Sequence, residues 1–282
     1  MLMRCRQMPF MGPLFTFKRG GAVMQVYDEA LMDVTRYIET HKHIKLEDKA
    51  LEFEDHLKRL GRYCCLNADS RMIEIGIGTG WFPIMCKKRG LSCCGIEISP
   101  QLVAYAKEFG RGNGVDVDLE IANLEETDLG SARYDVVIAF CVFEHIEHWK
   151  GCLRKVFEAL KPGGVLYFTS TNKFSLRSGE YRFPLYGWLP DPLRYALRKW
   201  KQGPDIMKLG IDFNQFTYFQ LRRFFGKLGF SRILDRIDLI DPQKLLRLSW
   251  LKRTLVRLLR SFPIMKEAGL LFARGTTFIC IK

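Results

Sequence analysis

The sequence predicts an α/β fold built on a doubly wound parallel sheet. Three observations predict it. Short apolar strands alternate with helical segments between Arg71 and Ser170, the first strand runs into the glycine turn Gly76-Ile-Gly-Thr-Gly80, and the composition is that of a packed chain, 48% hydrophobic and 27% charged. Parallel neighbours need long crossovers and strands covered on both faces, which is what continuous apolar runs separated by helices supply.

The elements follow in order. Val26–Thr40 and Leu46–Cys64 carry apolar residues at mixed three and four spacing and read as helices preceding the core. Arg71–Ile75 is a short buried strand, and a helix from Trp81 to Arg89 stops at Gly90. The alternation continues through strand Ser92–Ile98, helix Pro100–Gly110, strands Val115–Ala122 and Tyr134–Cys141, helix His148–Leu160 and strand Val165–Ser170. Pro162-Gly163-Gly164 supplies the turn between that last helix and strand.

Beyond Ser170 the pattern breaks. Residues 172–212 hold Pro184, Pro190, Pro192 and Pro204 among Tyr181, Phe183, Tyr186, Trp188, Tyr195 and Trp200, an insertion after the fifth strand that suits a lid or acceptor region, with a helical packing subdomain as the alternative. Arg177, Arg182, Arg194, Arg198 and Lys199 there suit an anionic group on an acceptor, or are solvated surface charges. Phe216–Leu228 resumes as a helix, Phe230–Ile240 reads as a strand, and Thr276–Ile281 closes the β pattern. The organisation expected is a flexible leader over 1–24, helices over 25–66, a ligand-binding core over 67–171, the insertion over 172–212, and completion of the sheet over 213–282.

The 282 residues carry 44 Lys and Arg against 31 Asp and Glu, a net charge of +13. The excess is clustered: no acid occurs from Pro242 to Lys266, and Gln243–Phe262 combines cations with many leucines and Trp250, the pattern of a basic amphipathic helix that lies at a membrane interface or equally covers the substrate pocket or a dimer interface. Nine cysteines without a C-x-x-C pair or a Cys/His cluster read as reduced thiols in a cytoplasmic protein and name no metal site. No apolar run reaches the roughly 18 residues that cross a bilayer, so any membrane contact is expected to be peripheral.

The glycine turn carries the chemistry. Glycines at a strand-to-helix junction let the backbone approach a ligand beside unpaired helix N–H groups. A dinucleotide fingerprint would place its third glycine at position 81, which is Trp81, so the spacing disfavours NAD and favours S-adenosylmethionine (SAM). Glu97 ends the next strand, where a carboxylate accepts hydrogen bonds from both hydroxyls of a ribose.

On Glu74-Ile-Gly-Ile-Gly-Thr-Gly80, Glu97, Ala122-Asn123, Tyr134-Asp135, Phe143-Glu-His-Ile146 and Leu160-Lys-Pro-Gly-Gly164, the chain resembles the class I SAM-dependent methyltransferases, and within them the ubiquinone-pathway O-methyltransferase-like group. The resemblance implies a Rossmann-like seven-stranded fold with helical insertions and an antiparallel last strand. It implies SAM as cofactor, held by Glu74, Gly76, Gly78, Thr79, Gly80, Glu97, Ile98, Asn123, Leu124 and Cys141. The family usually has Asp where this chain has Asn123; an amide oxygen still accepts the adenine amine, without the strength of a charge, and Glu125 and Glu126 stand nearby.

His145, just past the fourth strand, is the candidate base for a hydroxyl acceptor, with a packing role under the cofactor as the alternative; Glu144 is a candidate to orient it or to hold a metal. His41, His43 and His56 fall outside the core and read as surface residues. The expected acceptor is a small or amphiphilic metabolite of lipid, quinone-precursor or glycan type. Nucleic acid is disfavoured, because Phe140-Cys-Val-Phe143 lacks the signature of amino-methylating enzymes; nucleic-acid or protein methylation and a non-catalytic SAM-binding scaffold stay as alternatives.

Overall fold

The computed structural model describes residues 16–19, 22–25, 34–177, 184–202, 214–247 and 249–282. Arg182 and residue 248 lie outside the described residues, as do 26–33 of the first expected helix. Within the expected leader, Thr16–Arg19 pairs antiparallel with Ala22–Gln25, so part of it forms regular structure.

A seven-stranded sheet forms the centre. Its strands are β1 (Arg71–Ile75), β2 (Ser92–Glu97), β3 (Leu119–Ile121), β4 (Tyr134–Phe140), β5 (Leu160–Thr171), β6 (Arg232–Asp235) and β7 (Gly275–Ile281). The order across the sheet is β3-β2-β1-β4-β5-β7-β6. β1 to β5 run parallel, and β7 enters antiparallel to both β5 and β6. The seven-stranded Rossmann-like expectation therefore holds, including the antiparallel last strand. Because the order reverses between β1 and β4, the crevice at their C-terminal ends is where such sheets bind ligands.

Helices α1 (Val34–His41), α2 (Leu46–Leu60), α3 (Trp81–Lys88), α4 (Pro100–Gly112), α5 (Trp149–Ala159), α6 (Asp191–Gln202) and α7 (Tyr218–Leu228) accompany the strands. The chain then adds α8 (Pro242–Leu246), α9 (Trp250–Ser261) and α10 (Pro263–Leu271) before β7. Alternate residues of β1 separate two cores. Ile73 and Ile75 join Leu153, Phe168, Phe225 and Phe278 on one face, while Met72 joins Phe53, Phe82, Ile138 and Tyr167 on the other.

Several boundaries depart from the sequence reading, each for a local reason. The third strand shrinks from Val115–Ala122 to Leu119–Ile121, since Val115 N–H is spent on the Gly110 carbonyl at 3.0 Å, closing α4. The strand expected over Phe230–Ile240 ends at Asp235, whose carboxylate Oδ1 accepts from Ile237 N at 3.0 Å and Asp238 N at 3.3 Å and turns the chain. Gln243–Phe262 is not one helix: α8 ends at Leu246, and α9 begins at Trp250 after Ser249.

Candidate functional site

The turn after β1 is shaped by three glycines in the left-handed region, Gly76 at φ 70°, Gly78 at 53° and Gly80 at 74°. Two are fixed by close packing as well. A Cβ on Gly76 would stand 2.5 Å from Cγ2 of Val142, and one on Gly80 would stand 2.5 Å from Cβ of Ala106. Gly78 differs: its missing Cβ faces only the Tyr37 hydroxyl, at 3.1 Å, so the space above it is bounded by α1. Thr79 is half-buried between them.

Glu97 is turned back onto this loop. Its Oε2 accepts from Gly78 N at 3.2 Å, and its Oε1 accepts from Ile98 N at 2.9 Å and Ser99 N at 3.2 Å. These donors fix the rotamer of a residue that is 8% exposed. Burial pushes its carboxyl pKa above the usual range, opposed by the three backbone donors and by the charge of His145. Glu74 lies on the same face of β1, 2% exposed, and its Oε2 finds no hydrogen-bond partner among the described residues. Burial, then the neighbouring Glu97 charge, pushes its carboxyl well above the ordinary value.

The remaining candidate residues gather at the adjacent strand ends. Ala122 N, past β3, donates to the Glu97 carbonyl at 2.9 Å. Asn123 uses its Oδ1 to accept from Glu125 N at 3.0 Å in a local turn, so one lone pair of the amide oxygen assigned to a ligand is already engaged. The Glu125 carboxylate accepts from His148 N at 3.0 Å, and Leu124 is buried beneath. Cys141 follows β4 at φ 51°, a strained value for a residue with a side chain, and its Sγ sits 3.6 Å from Thr169 Oγ1.

His145 falls in a short 3₁₀ turn, Phe143–His145, close enough for its charge to favour ionised Glu97. Glu144 accepts from Ser170 Oγ at 2.9 Å and Thr171 N at 3.4 Å, which ties it to β5.

Three groups escaped the sequence reading. His56, taken as a surface residue, is enclosed: its ring lies 4.6 Å from Phe140 and 5.3 Å from Tyr167, and Nδ1 is 2.9 Å from the Tyr167 hydroxyl. Hydrogen bonding to His56 is the chief cause holding Glu52 at a pKa of about 2. Arg59 Nη1 donates to the same hydroxyl at 3.0 Å. Arg194 and Arg198, read either as suited to an anionic group on an acceptor or as solvated charges, are 1% and 3% exposed, which removes the second reading; Arg194 donates to Asp191 at 3.1 Å and lies over the Tyr186 and Tyr195 rings. The α2 signal was available only as helical spacing, which places Phe53, His56 and Leu60 on one face without naming what they meet.

The description of the methyltransferase domain matches residues 45–234, well over half of the chain and the whole of this site. The chain belongs to the methyltransferase-domain family. Its relatives include the ubiquinone biosynthesis O-methyltransferase of Methylobacterium sp. (strain 4-46), 29% identical over 126 residues, covering 42% of this chain and 49% of that one. The chain thus spans about half the length of the curated relatives it matches. Among solved structures, a SAM dependent methyltransferase from Archaeoglobus fulgidus superposes with a TM-score of 0.52 at 18% identity, over 88% of this chain and 99% of that chain. An S-adenosylmethionine dependent methyltransferase from Mesorhizobium loti gives 0.52 at 17%, over 80% and 96%. Both likenesses are of the fold. Among the described residues no helix is long and apolar enough to cross a membrane.

Proposed function

We infer that this methyltransferase binds SAM at the ends of β1 and β2 and transfers its methyl group to a hydroxyl of a small or amphiphilic acceptor. The observation that carries the reading is Glu97, pinned by Gly78, Ile98 and Ser99 beside three left-handed glycines. The residues fit the cofactor: Gly78 leaves backbone open beneath Tyr37, Glu97 keeps one lone pair on Oε2 for a ribose hydroxyl, and the buried Glu74 Oε2 is an unused acceptor or donor. Bound there, SAM would supply an electrophilic methyl group on a sulfonium, with S-adenosylhomocysteine as the leaving group.

His145 takes the acceptor proton, and positioning by the strand ends supplies much of the acceleration. Glu97→Ala should weaken SAM binding by roughly 1.5 to 3 kcal/mol, the worth of a charged hydrogen bond. Calorimetry on the folded variant tests this, and unchanged affinity overturns the assignment. His145→Ala should lower acceptor-dependent release of S-adenosylhomocysteine about 100-fold while sparing SAM affinity. An unaltered rate with a hydroxyl acceptor of high pKa removes His145 from the role.

The amphiphilic part of the reading rests on α9. Leu251, Leu255, Leu258 and Phe262 recur at helical spacing, and all lie on its exposed side, while Val256 faces inward. Lys252 and Arg257 flank this stripe in a stretch without acids. We propose an anionic lipid surface as its partner, since each cation near such a surface contributes on the order of 1 kcal/mol. Arg260 keeps its charge, but its donation to the Ile237 and Ile240 carbonyls at 3.0 and 3.1 Å ties its side chain to the protein. Lys252→Glu with Arg257→Glu should abolish sedimentation with anionic vesicles at low salt. A parent protein that stays in the supernatant ends the proposal.

A further inference from the structure

A cavity of about 370 Å³ opens between α2 and the segment after β6 and shares no lining residue with the glycine turn. Lys58, Arg59, Arg62, Arg236 and Lys244 line it, with Asp55 and Asp241. The two acids are already matched: Asp241 pairs with Arg62 at 3.2 Å, and Asp55 pairs with Lys244. Among the described residues neither Arg59 nor Arg236 has a carboxylate within ion-pair distance. Arg59 spends one N–H on Tyr167 at 3.0 Å, and Arg236 makes one long bond to the Gly275 carbonyl at 3.4 Å. A guanidinium has five N–H donors, so both keep most of theirs for another acceptor. Arg236 is exposed as a residue; desolvation of its guanidinium on the cavity wall, then the like charges of Arg59 and Arg274, pulls its pKa below the ordinary value, so these cations stand close enough to repel one another.

We propose that this cavity binds a phosphate-class dianion, gripped by Arg59 and Arg236 with Lys58 at the rim. A single carboxylate would balance one of these cations and leave the others facing each other, whereas a doubly charged group with three oxygens matches the forks of both arginines. The volume is at the lower end of small-ligand sites, enough for the anion and a short organic body. The position fits a ligand role. Thr277 on the cavity wall pairs in register with Thr169, which stands beside Cys141 at the end of β4. Arg59 connects the cavity through Tyr167 to His56, whose ring lies on Phe140, the last residue of β4.

The test is calorimetric titration of the full chain with pyrophosphate at fixed ionic strength, with SAM titrated separately. Pyrophosphate is expected to bind, and Arg236→Gln to weaken it about tenfold or more, the ratio expected when a charge-assisted hydrogen bond is lost. Arg236→Lys, which keeps the charge without the fork, should fall between. Should the glutamine variant fail to fold, Lys58→Gln on the exposed rim is expected to weaken binding several-fold. Phenyl phosphate separates the sources: tighter binding than inorganic phosphate assigns the cavity to a phosphate carried on an organic molecule, and equal binding assigns it to the free anion. No pyrophosphate heat from the parent, or equal affinity in a folded Arg236→Gln variant, overturns the proposal. SAM binding without anion binding refutes the cavity alone, and the converse refutes the cofactor reading alone.

Discussion

The glycine turn and the cavity beside α2 are built on opposite plans. The turn is made of backbone: left-handed glycines, N–H donors aimed at Glu97, and a helix start, all within Ile75–Ser99. The cavity is made of long side chains from α2 and from the β6 turn with the adjoining α8, two stretches far apart in the chain. A backbone site constrains residue type at fixed spacing, because only glycine adopts φ near 70° without strain and leaves the space that Val142 and Ala106 fill. A side-chain site constrains only charge and reach, so many sequences satisfy it and none announces it.

That contrast predicts where substitutions hurt. The largest loss is expected in the side-chain half. Lys266 pairs with Asp235 at 2.8 Å and Asp238 at 2.7 Å, and Asp235 also accepts from the Tyr218 hydroxyl at 3.1 Å. Lys266→Met strands a buried carboxylate and should cost about 3 to 5 kcal/mol in urea unfolding. A loss under about 1 kcal/mol would mean that Asp235 is satisfied by its turn alone.

Next comes Gly76→Val, which adds a Cβ into Val142 and a side chain at positive φ. Strain and overpacking together should remove roughly 2 to 4 kcal/mol, and SAM binding with it. Retained affinity at lowered stability would show that the turn tolerates remodelling and weaken the contrast. Tyr167→Phe keeps the ring and removes the hydroxyl shared by Arg59 and His56, so about 1 to 2 kcal/mol is expected in the same assay.

The smallest effect is a pH dependence. Burial, partly offset by backbone donors, raises the folded pKa of Glu97 above its ordinary 4.5. The folded chain therefore holds that proton more tightly than the unfolded one, and this group's contribution to stability falls as pH rises through the interval from 4.5 to the raised value. Cofactor affinity moves oppositely, because ribose hydroxyls donate to the carboxylate. SAM binding should strengthen as pH rises across that interval and level off above it. Glu97→Gln should flatten the profile, and a profile of the same shape in that variant assigns the dependence elsewhere, with Glu74 the first candidate.

Legibility followed the same division. The parallel sheet, the succession of β1 to β5 along the chain, the turn and the place of Glu97 at the end of β2 were readable because periodicity and glycine spacing are local properties. The end of β6 was misplaced since Ile237, Leu239 and Ile240 look like strand, whereas the side chains of Asp235 and Asp238 and the backbone turn bond from Leu239 N to the Asp235 carbonyl turn them. His56 was misread because helical spacing does not say that Phe140 and Tyr167 will close around it. The break before α9 was hidden by a continuous basic and apolar composition, and with it the fact that Arg260 is already committed to the carbonyls of the β6 turn.

The antiparallel β7 has a bearing on how the chain reaches this fold. Thr171 pairs with Gly275 and Val165 with Ile281, so the inner side of β5 stays an open edge until the whole span between them has been made. On a ribosome, β1 to β5 emerge first and wait with unsatisfied N–H and C=O groups along a strand whose Leu166, Tyr167 and Phe168 are fully apolar or aromatic. Such an edge invites pairing with other chains, and closing it late is slow because the contact is distant in sequence. Yield on expression should therefore depend more on how quickly β7 arrives, and on the chaperones that guard β5 meanwhile, than on the stability of the finished sheet.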